Sequence, residues 1–392
     1  MEPERLQQNI KHLACLQETK DPVISCYVNL TIGDSPWSET LRNRLDSIID
    51  GTVTTYNTPD LARSVSRIRA YLLSSDVRGA RGIALFVREG SDPLWMPMKF
   101  SVPVPTWVSI DTVPNIYNLV ELQDRYERYI VLLSTRYSAR IFDIALGEVS
   151  KQVMVQRPTI RKRVRREWTR IHYQNHVKEG GQQFIREQVE VLKYLIAGSD
   201  TPCVILAGDN HLSRQTRAEL PDSLASLVID VVPIMSTASR DDIVSSTLHS
   251  FIAAQESESQ NIVERLLNSF YKDDLAVLGV ADCLQSLLRH QADVLIMKQD
   301  TDFGRAKICQ ACGWAVAGHP LPIECMECSS LLSLARDART ELVRLAEISG
   351  RPTETIGKSA QLDALGGVGC LLRYPLRHRR RPDYTEDRIG MM

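Results

Sequence analysis

Two Cys-x-x-Cys pairs constrain the folding of this chain more than any other feature of its sequence. Cys309 and Cys312 form the first pair, and Cys325 and Cys328 form the second after twelve intervening residues. Each pair can present two sulfurs from one tight turn, and four thiolates at about 2.3 Å complete a tetrahedral zinc site. Gly313 after the first pair suits such a turn. We therefore predict structural zinc with these four ligands; redox-active or unligated pairs are the alternative.

Four protein ligands leave no coordination position for a catalytic water, so the predicted metal stabilises a fold rather than performing chemistry. His319 lies between the pairs and is a possible substitute for one cysteine. The other cysteines of the nine in the chain are scattered and do not form a disulfide framework; they are Cys15, Cys26, Cys203, Cys283 and Cys370. This distribution favours a reducing compartment.

The charge balance and the hydropathy pattern exclude several classes of protein. Lys and Arg total 47 against 48 Asp and Glu, a formal net charge of -1, which excludes a uniformly basic nucleic-acid wrap and an acidic disordered protein. No apolar run approaches the length of a membrane span, and the acidic, proline-containing start is unlike a signal peptide. We expect a cytoplasmic protein without a membrane or DNA partner.

The periodicity predicts an α/β protein with three domains at residues 1–125, 126–256 and 257–378, and a polar tail at 379–392. The polar stretch 255–260 marks the second boundary. In the first domain, residues 23–30 and 82–87 read as strands, residues 38–50 and 60–73 as helices, and Pro103 and Pro105 disfavour helix.

The middle domain begins with a predicted hairpin, formed by strands at residues 129–134 and 140–144. A long helix and a central strand at 203–208 follow, which together imply a parallel crossover. The third domain is predicted to contain helices near 261–271 and 331–348, strands around 275–280 and 293–297, and a final apolar segment at 365–374.

A basic run is the strongest candidate for contact with RNA. Its residues are Arg157, Arg161, Lys162, Arg163, Arg165, Arg166 and Arg170, with Glu167 as the opposing charge. Arginine forks match phosphate oxygens, and the nearby Trp168, His172 and Tyr173 could stack on unpaired bases. A solvated helix start is the alternative interpretation.

Gly180, Gly181 and Gln182 lie within the next helical pattern, where a glycine pair marks a helix start, a kink or a special function.

Asp209, Asn210 and His211 follow the strand at 203–208. This polar cluster could be a site at a strand end, but a loop with a helix cap is the favoured interpretation.

Several segments together resemble a known family. Residues 274–280, 284–288 and 292–296, the two cysteine pairs and residues 365–374 resemble, in that order, the third domain of archaeo-eukaryotic class-1 peptide release factors and of Pelota. The strand at 204–208 with its preceding helix resembles the family's middle domain, and the hairpin at 129–148 resembles its bacterial branch. The resemblance covers roughly the last two thirds of the chain.

This resemblance implies a three-domain, tRNA-shaped architecture with an L7Ae-like third domain that carries a zinc ribbon at 307–330. It implies binding in the ribosomal A site, with the first domain at the decoding centre and the middle domain at the peptidyl-transferase centre. The family's stop-codon motifs, Asn-Ile-Lys-Ser and Tyr-x-Cys-x-x-x-Phe, are absent; Asn9-Ile10-Lys11-His12 is a partial, misplaced match. We therefore do not expect stop-codon decoding.

The family's Gly-Gly-Gln lies at a loop tip ahead of a long helix, but here only 21 residues separate Gln182 from Val204. The counterpart of the tip falls nearer Arg165, so Gly180, Gly181 and Gln182 are expected to lie in a helix. A family member that lacks both the stop-codon motifs and the catalytic Gly-Gly-Gln tip resembles a ribosome hibernation factor, which occupies idle ribosomes beside elongation factor Tu. The alternative is a rescue hydrolase that cleaves peptidyl-tRNA through Gly180, Gly181 and Gln182.

Overall fold

The alternating and continuous apolar runs of the sequence form the strands of four β-sheets. The computed structural model describes residues 1–31, 43, 59–135, 137–156, 170–197, 203–273, 275–318, 320–333 and 335–375, with the backbone alone described for 170–182 and 273. The chain divides into two compact units, Met1–Ser257 and Glu258–Met392. The predicted α/β class is confirmed. No helix among the described residues is long and apolar enough to cross a membrane.

The first unit begins with helix α1 (Pro3–Ala14) and a four-stranded antiparallel sheet in the order β3-β2-β1-β4. Its elements are β1 (Val23–Asn29), α2 (Pro59–Leu72), a 3-10 turn (Ser75–Val77), β2 (Gly82–Arg88), β3 (Leu94–Phe100), β4 (Trp107–Asp111) and α3 (Tyr117–Arg125).

Helix α2 packs on one face of this sheet through residues at helical spacing, namely Leu61, Val65, Ile68 and Leu72. The predicted helix at 60–73 and the predicted strands at 23–30 and 82–87 are therefore confirmed. The predicted helix at 38–50 lies outside the described residues, apart from residue 43.

The second sheet of the first unit has the order β7-β6-β5-β8-β9. Its elements are β5 (Tyr129–Ser134), β6 (Ser138–Ala145), β7 (Glu148–Gln156), α4 (Arg170–Ile196), β8 (Cys203–Gly208), α5 (Asn210–Glu219), α6 (Asp222–Ala225) and β9 (Val228–Pro233). The predicted hairpin and parallel crossover are confirmed, because β5 pairs antiparallel with β6 and parallel with β8.

Both faces of the second sheet are covered. Leu132 and Leu206 lie in one buried cluster with Leu192 of α4, while Val131 and Ile205 lie in another with Phe251 of a later helix. Strands that bury side chains on both faces read as continuous apolar runs. This explains the unbroken hydrophobicity of residues 129–133 and 203–207.

The helix that contains Phe251 is α7 (Arg240–Asn268), which continues into a π-helical turn at Ser269–Asp273. The sequence predicted a helix near 261–271 and a domain boundary at the polar stretch 255–260. Residues 261–268 are helical, but their helix begins much earlier, at Arg240, and continues through the polar stretch. Glutamate and glutamine favour helix, and the segment is largely exposed, so its polarity reflects solvent rather than a break. The division between the two units nevertheless falls inside it, after Ser257.

The second unit contains a sheet in the order β10-β16-β11-β15 and a small sheet in the order β13-β12-β14. Its elements are β10 (Ala276–Leu278), α8 (Val280–Leu288), β11 (Ala292–Lys298), β12 (Arg305–Ile308), β13 (Ala315–Ala317), β14 (Arg336–Asp337), α9 (Ala338–Ile348), β15 (Thr353–Ile356), α10 (Ala360–Ala364) and β16 (Val368–Leu372).

Helix α9 begins at Ala338, later than the residue 331 predicted from the sequence. Asp337 fixes this start, because its Oδ2 accepts hydrogen bonds from the N–H of Thr340 at 2.8 Å and from the Thr340 hydroxyl at 2.6 Å. The residues before Asp337 belong instead to the cysteine-bearing insert between β11 and α9.

Candidate functional site

The four cysteines of the two pairs meet in space. Their sulfur atoms all lie within 4.8 Å of one another, with 3.5 Å between Sγ of Cys309 and Cys328 and 3.5 Å between Sγ of Cys312 and Cys325. Four sulfurs around a zinc ion at 2.3 Å are separated by about 3.8 Å in an ideal tetrahedron. The donor set and the spacing are compatible with a zinc site.

We call Cys309 and Cys312 the first hook and Cys325 and Cys328 the second hook. Both hooks repeat one backbone pattern. The N–H of Cys309 donates to the carbonyl of Trp314 at 2.7 Å, and the N–H of Gly313 donates to the carbonyl of Cys309 at 2.8 Å. In the second hook, the N–H of Cys325 donates to the carbonyl of Ser330 at 2.8 Å, and the N–H of Ser329 donates to the carbonyl of Cys325 at 2.9 Å. The same turn therefore presents each pair of sulfurs.

This turn requires a left-handed residue directly after the second cysteine of each hook. Gly313 has φ +71°, as the sequence led us to expect, whereas Ser329 adopts φ +57° despite its side chain. Sequence reasoning missed this position, because a serine gives no signal for positive φ.

Neighbouring groups shift the pKa of two of the four thiols in opposite directions. Hydrogen bonds from the side chain and backbone of Ser330 lower the pKa of Cys328 to about 6. At Cys312 a hydrogen bond from the backbone of Trp314 lowers the pKa, but burial and the other three thiols raise it, to a net value of about 12. Four thiols this close cannot all ionise unless a cation compensates the charge.

Two short strands hold the first hook in place. Strand β12 leads into Cys309 and pairs with β13 on one side and with β14 on the other. The backbone of Ile308 also exchanges hydrogen bonds with Ser333 beyond the second hook, at 3.1 and 3.2 Å. His319, the possible substitute ligand, lies outside the described residues.

The structure describes little of the predicted RNA-binding run. Residues 157–169 lie outside the described residues, and Arg170 is the first residue of α4. Gly180, Gly181 and Gln182 lie inside α4, a continuous helix from Arg170 to Ile196. They are therefore not at a loop tip.

Buried contacts fix the second half of α4 against the sheet. Gln188 is 1% exposed, and its Oε1 accepts a hydrogen bond from the Ser134 hydroxyl at 3.0 Å. Arg128 pairs with Asp143 at 2.7 Å and also donates to the carbonyl of Leu195 at 3.1 Å. A burial-driven pattern in the sequence cannot reveal these polar contacts.

The polar cluster after β8 is a helix cap, as expected. Oδ1 of Asp209 accepts hydrogen bonds from the N–H of His211 at 2.9 Å and of Leu212 at 3.1 Å, at the first turn of α5. The carboxylate of Asp209 thus already satisfies the amides that an anionic ligand would need.

Residues 114–251, about a third of the chain, match the family model described as bacterial archaeo-eukaryotic release factor family 10. This stretch contains the second sheet, α4 and the first twelve residues of α7. Over these residues the chain is similar to that release-factor family. No curated protein sequence matches the chain.

Solved structures of a translation termination factor, of Pelota and of Dom34 align along most of the chain. The archaeal translation termination factor aRF1 is 15% identical, with 95% of this chain and 99% of that chain covered and a TM-score of 0.25. Pelota from Archaeoglobus fulgidus is 13% identical, with 95% and 93% covered and a TM-score of 0.36. Dom34 from S. cerevisiae is 12% identical, with 78% and 82% covered and a TM-score of 0.39. At these scores the alignments alone establish neither fold nor function.

Proposed function

We propose that this protein is a ribosome-binding translation factor that occupies the A site of idle or stalled ribosomes, together with elongation factor Tu. In this role it is a hibernation factor of the Balon type and belongs to the stress response. The family match over residues 114–251 carries the proposal, because release factors act in the ribosomal A site.

The position of Gly180, Gly181 and Gln182 supports occupancy rather than hydrolysis. A glutamine that places a water at the ester of peptidyl-tRNA has to reach the peptidyl-transferase centre from an exposed tip. Here the three residues lie within continuous helix, with ten helical residues before Gly180. The rescue hydrolase that uses these residues remains the second candidate.

In the proposed complex the basic run contacts ribosomal RNA. The connection between β7 and α4 carries six of its seven cations, and Arg170 begins the helix. Such a concentration of arginines on a chain of net charge -1 makes a local anion-binding surface. Ribosome binding should therefore weaken steeply as salt rises.

The proposed cofactor is one structural zinc ion, held by Cys309, Cys312, Cys325 and Cys328. When bound, zinc supplies cross-links between the two hooks and leaves no open position for chemistry. Metal analysis of the purified protein should give one equivalent of zinc. Each variant that replaces Cys309 or Cys325 by Ser should lose this zinc.

Co-sedimentation tests the proposed function. The purified protein is mixed with empty ribosomes and with ribosomes that carry P-site peptidyl-tRNA, and peptide release is scored in the same tubes. We expect binding to both without release, and a larger bound fraction when elongation factor Tu is added. Release that disappears in Gln182→Ala would instead establish the rescue hydrolase.

The basic run is tested in the same assay with a matched control. Replacing Arg161, Lys162, Arg163, Arg165 and Arg166 by Ala should weaken binding and flatten its salt dependence, since each lost phosphate contact removes about 0.7–0.9 from the slope of log K against log salt. Replacing the exposed Arg186, Arg214 and Arg217 by Ala is the control and should leave the slope unchanged. Equal slopes for both variants would contradict a role of the run.

A further inference from the structure

The second hook presents an exposed surface that none of the preceding functions uses. Two hydrogen bonds, from the N–H of Cys325 to the Ser330 carbonyl and from the N–H of Leu332 to the Ile323 carbonyl at 3.0 Å, flank a bridge between Glu324 and Leu331. Facing residues between two such bonds form a close, non-hydrogen-bonded pair with side chains on one face. A carboxylate and a leucine therefore stand side by side.

Three large apolar side chains, in this pair or close to it in the sequence, are exposed to solvent. Ile323 is 72% exposed, Met326 is 79% exposed and Leu331 is 73% exposed. Together with the exposed Glu324 and Glu327 they form a surface that we call the ribbon tip. Scattered apolar residues are normal on a protein surface, but three concentrated within nine residues of a small cysteine-rich element indicate a contact surface.

The charge of the ribbon tip selects the kind of partner. Residues 320–333 contribute Glu324 and Glu327 but no Lys or Arg. Lys307 of β12 places one cation against them, because its Nζ donates to the Pro322 carbonyl at 2.9 Å, so among these described side chains negative charge is in excess. Four thiolates around a zinc dication would add further negative charge. Phosphate groups of RNA are repelled by such a surface, and two copies joined tip to tip would oppose their own carboxylates. A complementary partner is a protein surface with apolar side chains flanked by Lys or Arg.

We propose that the ribbon tip docks onto a basic, partly apolar protein surface of the ribosome, not onto its RNA. This inference rests on the proposed ribosome binding and assigns a separate contact to the second unit. Met326 and Leu331 supply the apolar contact, and Glu324 and Glu327 pair with cationic side chains at its rim.

Site-specific photocross-linking tests the proposal. Met326→p-benzoylphenylalanine is bound to purified ribosomes, recovered by sedimentation and irradiated, and adducts are digested with protease or ribonuclease. We expect an adduct to one ribosomal protein, at a segment rich in Lys or Arg. The same photoreactive residue at Ile348, which is 44% exposed in the same unit, is the control and should not label that segment.

Each other outcome overturns the proposal. A ribonuclease-sensitive adduct would identify RNA as the occupant, and an adduct between two copies would identify self-association. Full sedimentation without any adduct would show that the ribbon tip stays in solvent. If the unmodified protein fails to sediment, the proposed function itself fails, and this docking inference fails with it.

Charge reversal gives an independent test. Glu324→Lys combined with Glu327→Lys should lower the adduct yield at position 326 at least about fivefold, because both rim pairs become repulsive. Glu258→Lys makes the same kind of change at an exposed helix position and should leave the yield unchanged. Zinc content and thermal unfolding are measured for each variant. Should the double reversal lose zinc, Glu324→Gln with Glu327→Gln takes its place, and an unchanged yield in a zinc-loaded variant contradicts the proposal.

Discussion

Replacing the glycine pair in α4 by alanine tests the backbone conformation at these positions, because a helix and a loop predict opposite changes in the free energy of unfolding. The combined substitution Gly180→Ala and Gly181→Ala changes two positions that have helical backbone in the structure. An alanine in a helix interior is favoured over glycine by about 1 kcal/mol, so the two changes should raise the free energy of unfolding by about 2 kcal/mol. For a unit of this size, about 2–4 °C per kcal/mol corresponds to a rise in Tm of about 4–8 °C.

The assay is thermal unfolding of the full chain, followed by circular dichroism, with hydrogen exchange of the α4 amides to locate the change. Gly79→Ala is the matched control in the same unit, because Gly79 has φ +77° with no atom within 4 Å of an added Cβ. Its left-handed backbone should make alanine unfavourable by about 1 kcal/mol. If the double variant is destabilised like Gly79→Ala, Gly180 and Gly181 do not lie in a helix, and the alternative of a catalytic loop is supported.

Three further predictions concern the second unit. Burial raises the pKa of Glu341, but ion pairs with Arg344 and Arg336 outweigh it and leave the pKa below its usual value. Glu341→Ala should therefore cost about 3–5 kcal/mol in denaturant unfolding at pH 7, with Glu258→Ala as the exposed control. Because the folded pKa is depressed, this stabilisation is complete above the unfolded pKa of about 4.3 and is lost as the pH falls through the folded value; a pH-independent difference would contradict it. Chelation should expose only the amides of residues 305–333 to hydrogen exchange, whereas cooperative loss of the whole unit would show that zinc organises its core. Ser329→Gly should stabilise the zinc-loaded second hook by about 1 kcal/mol by removing the strain of φ +57°, measured as slower zinc transfer to a chelator; Asp300→Gly, at a left-handed residue outside the hooks, is the control and should leave zinc transfer unchanged.

Local patterns were sufficient for most elements of both units. The strands at 129–133 and 203–207 could be predicted because burial on both faces demands unbroken apolar runs. Helix α2 could be predicted because its buried side recurs at helical spacing. The start of α7 at Arg240 was missed because a polar run such as 255–260 is equally compatible with a solvated helix and with a linker, and only the surrounding packing distinguishes them.

The two cysteine pairs were the part of the candidate site that the sequence specified best. Ligand type and spacing within each hook are local properties, so the sequence alone determined which four side chains can share one ion. Their meeting within 4.8 Å depends on a separate event, the pairing of β12 with both β13 and β14. The left-handed Ser329 has no local signal, because the turn imposes that conformation on whichever residue follows Cys328.

Tertiary structure alone decided which polar side chains of α4 and α9 are buried. Gln188 and Glu341 look like ordinary surface residues in the sequence, yet they are 1% and 2% exposed. Ser134, distant in the chain, bonds the Gln188 amide, whereas Glu341 pairs with its sequence neighbours Arg336 and Arg344 and is buried only because α9 packs against the rest of its unit. Composition and periodicity report the average solvent preference of a segment. Which polar group is buried, and which apolar group stays exposed at the ribbon tip, depends on contacts between segments that no local pattern encodes.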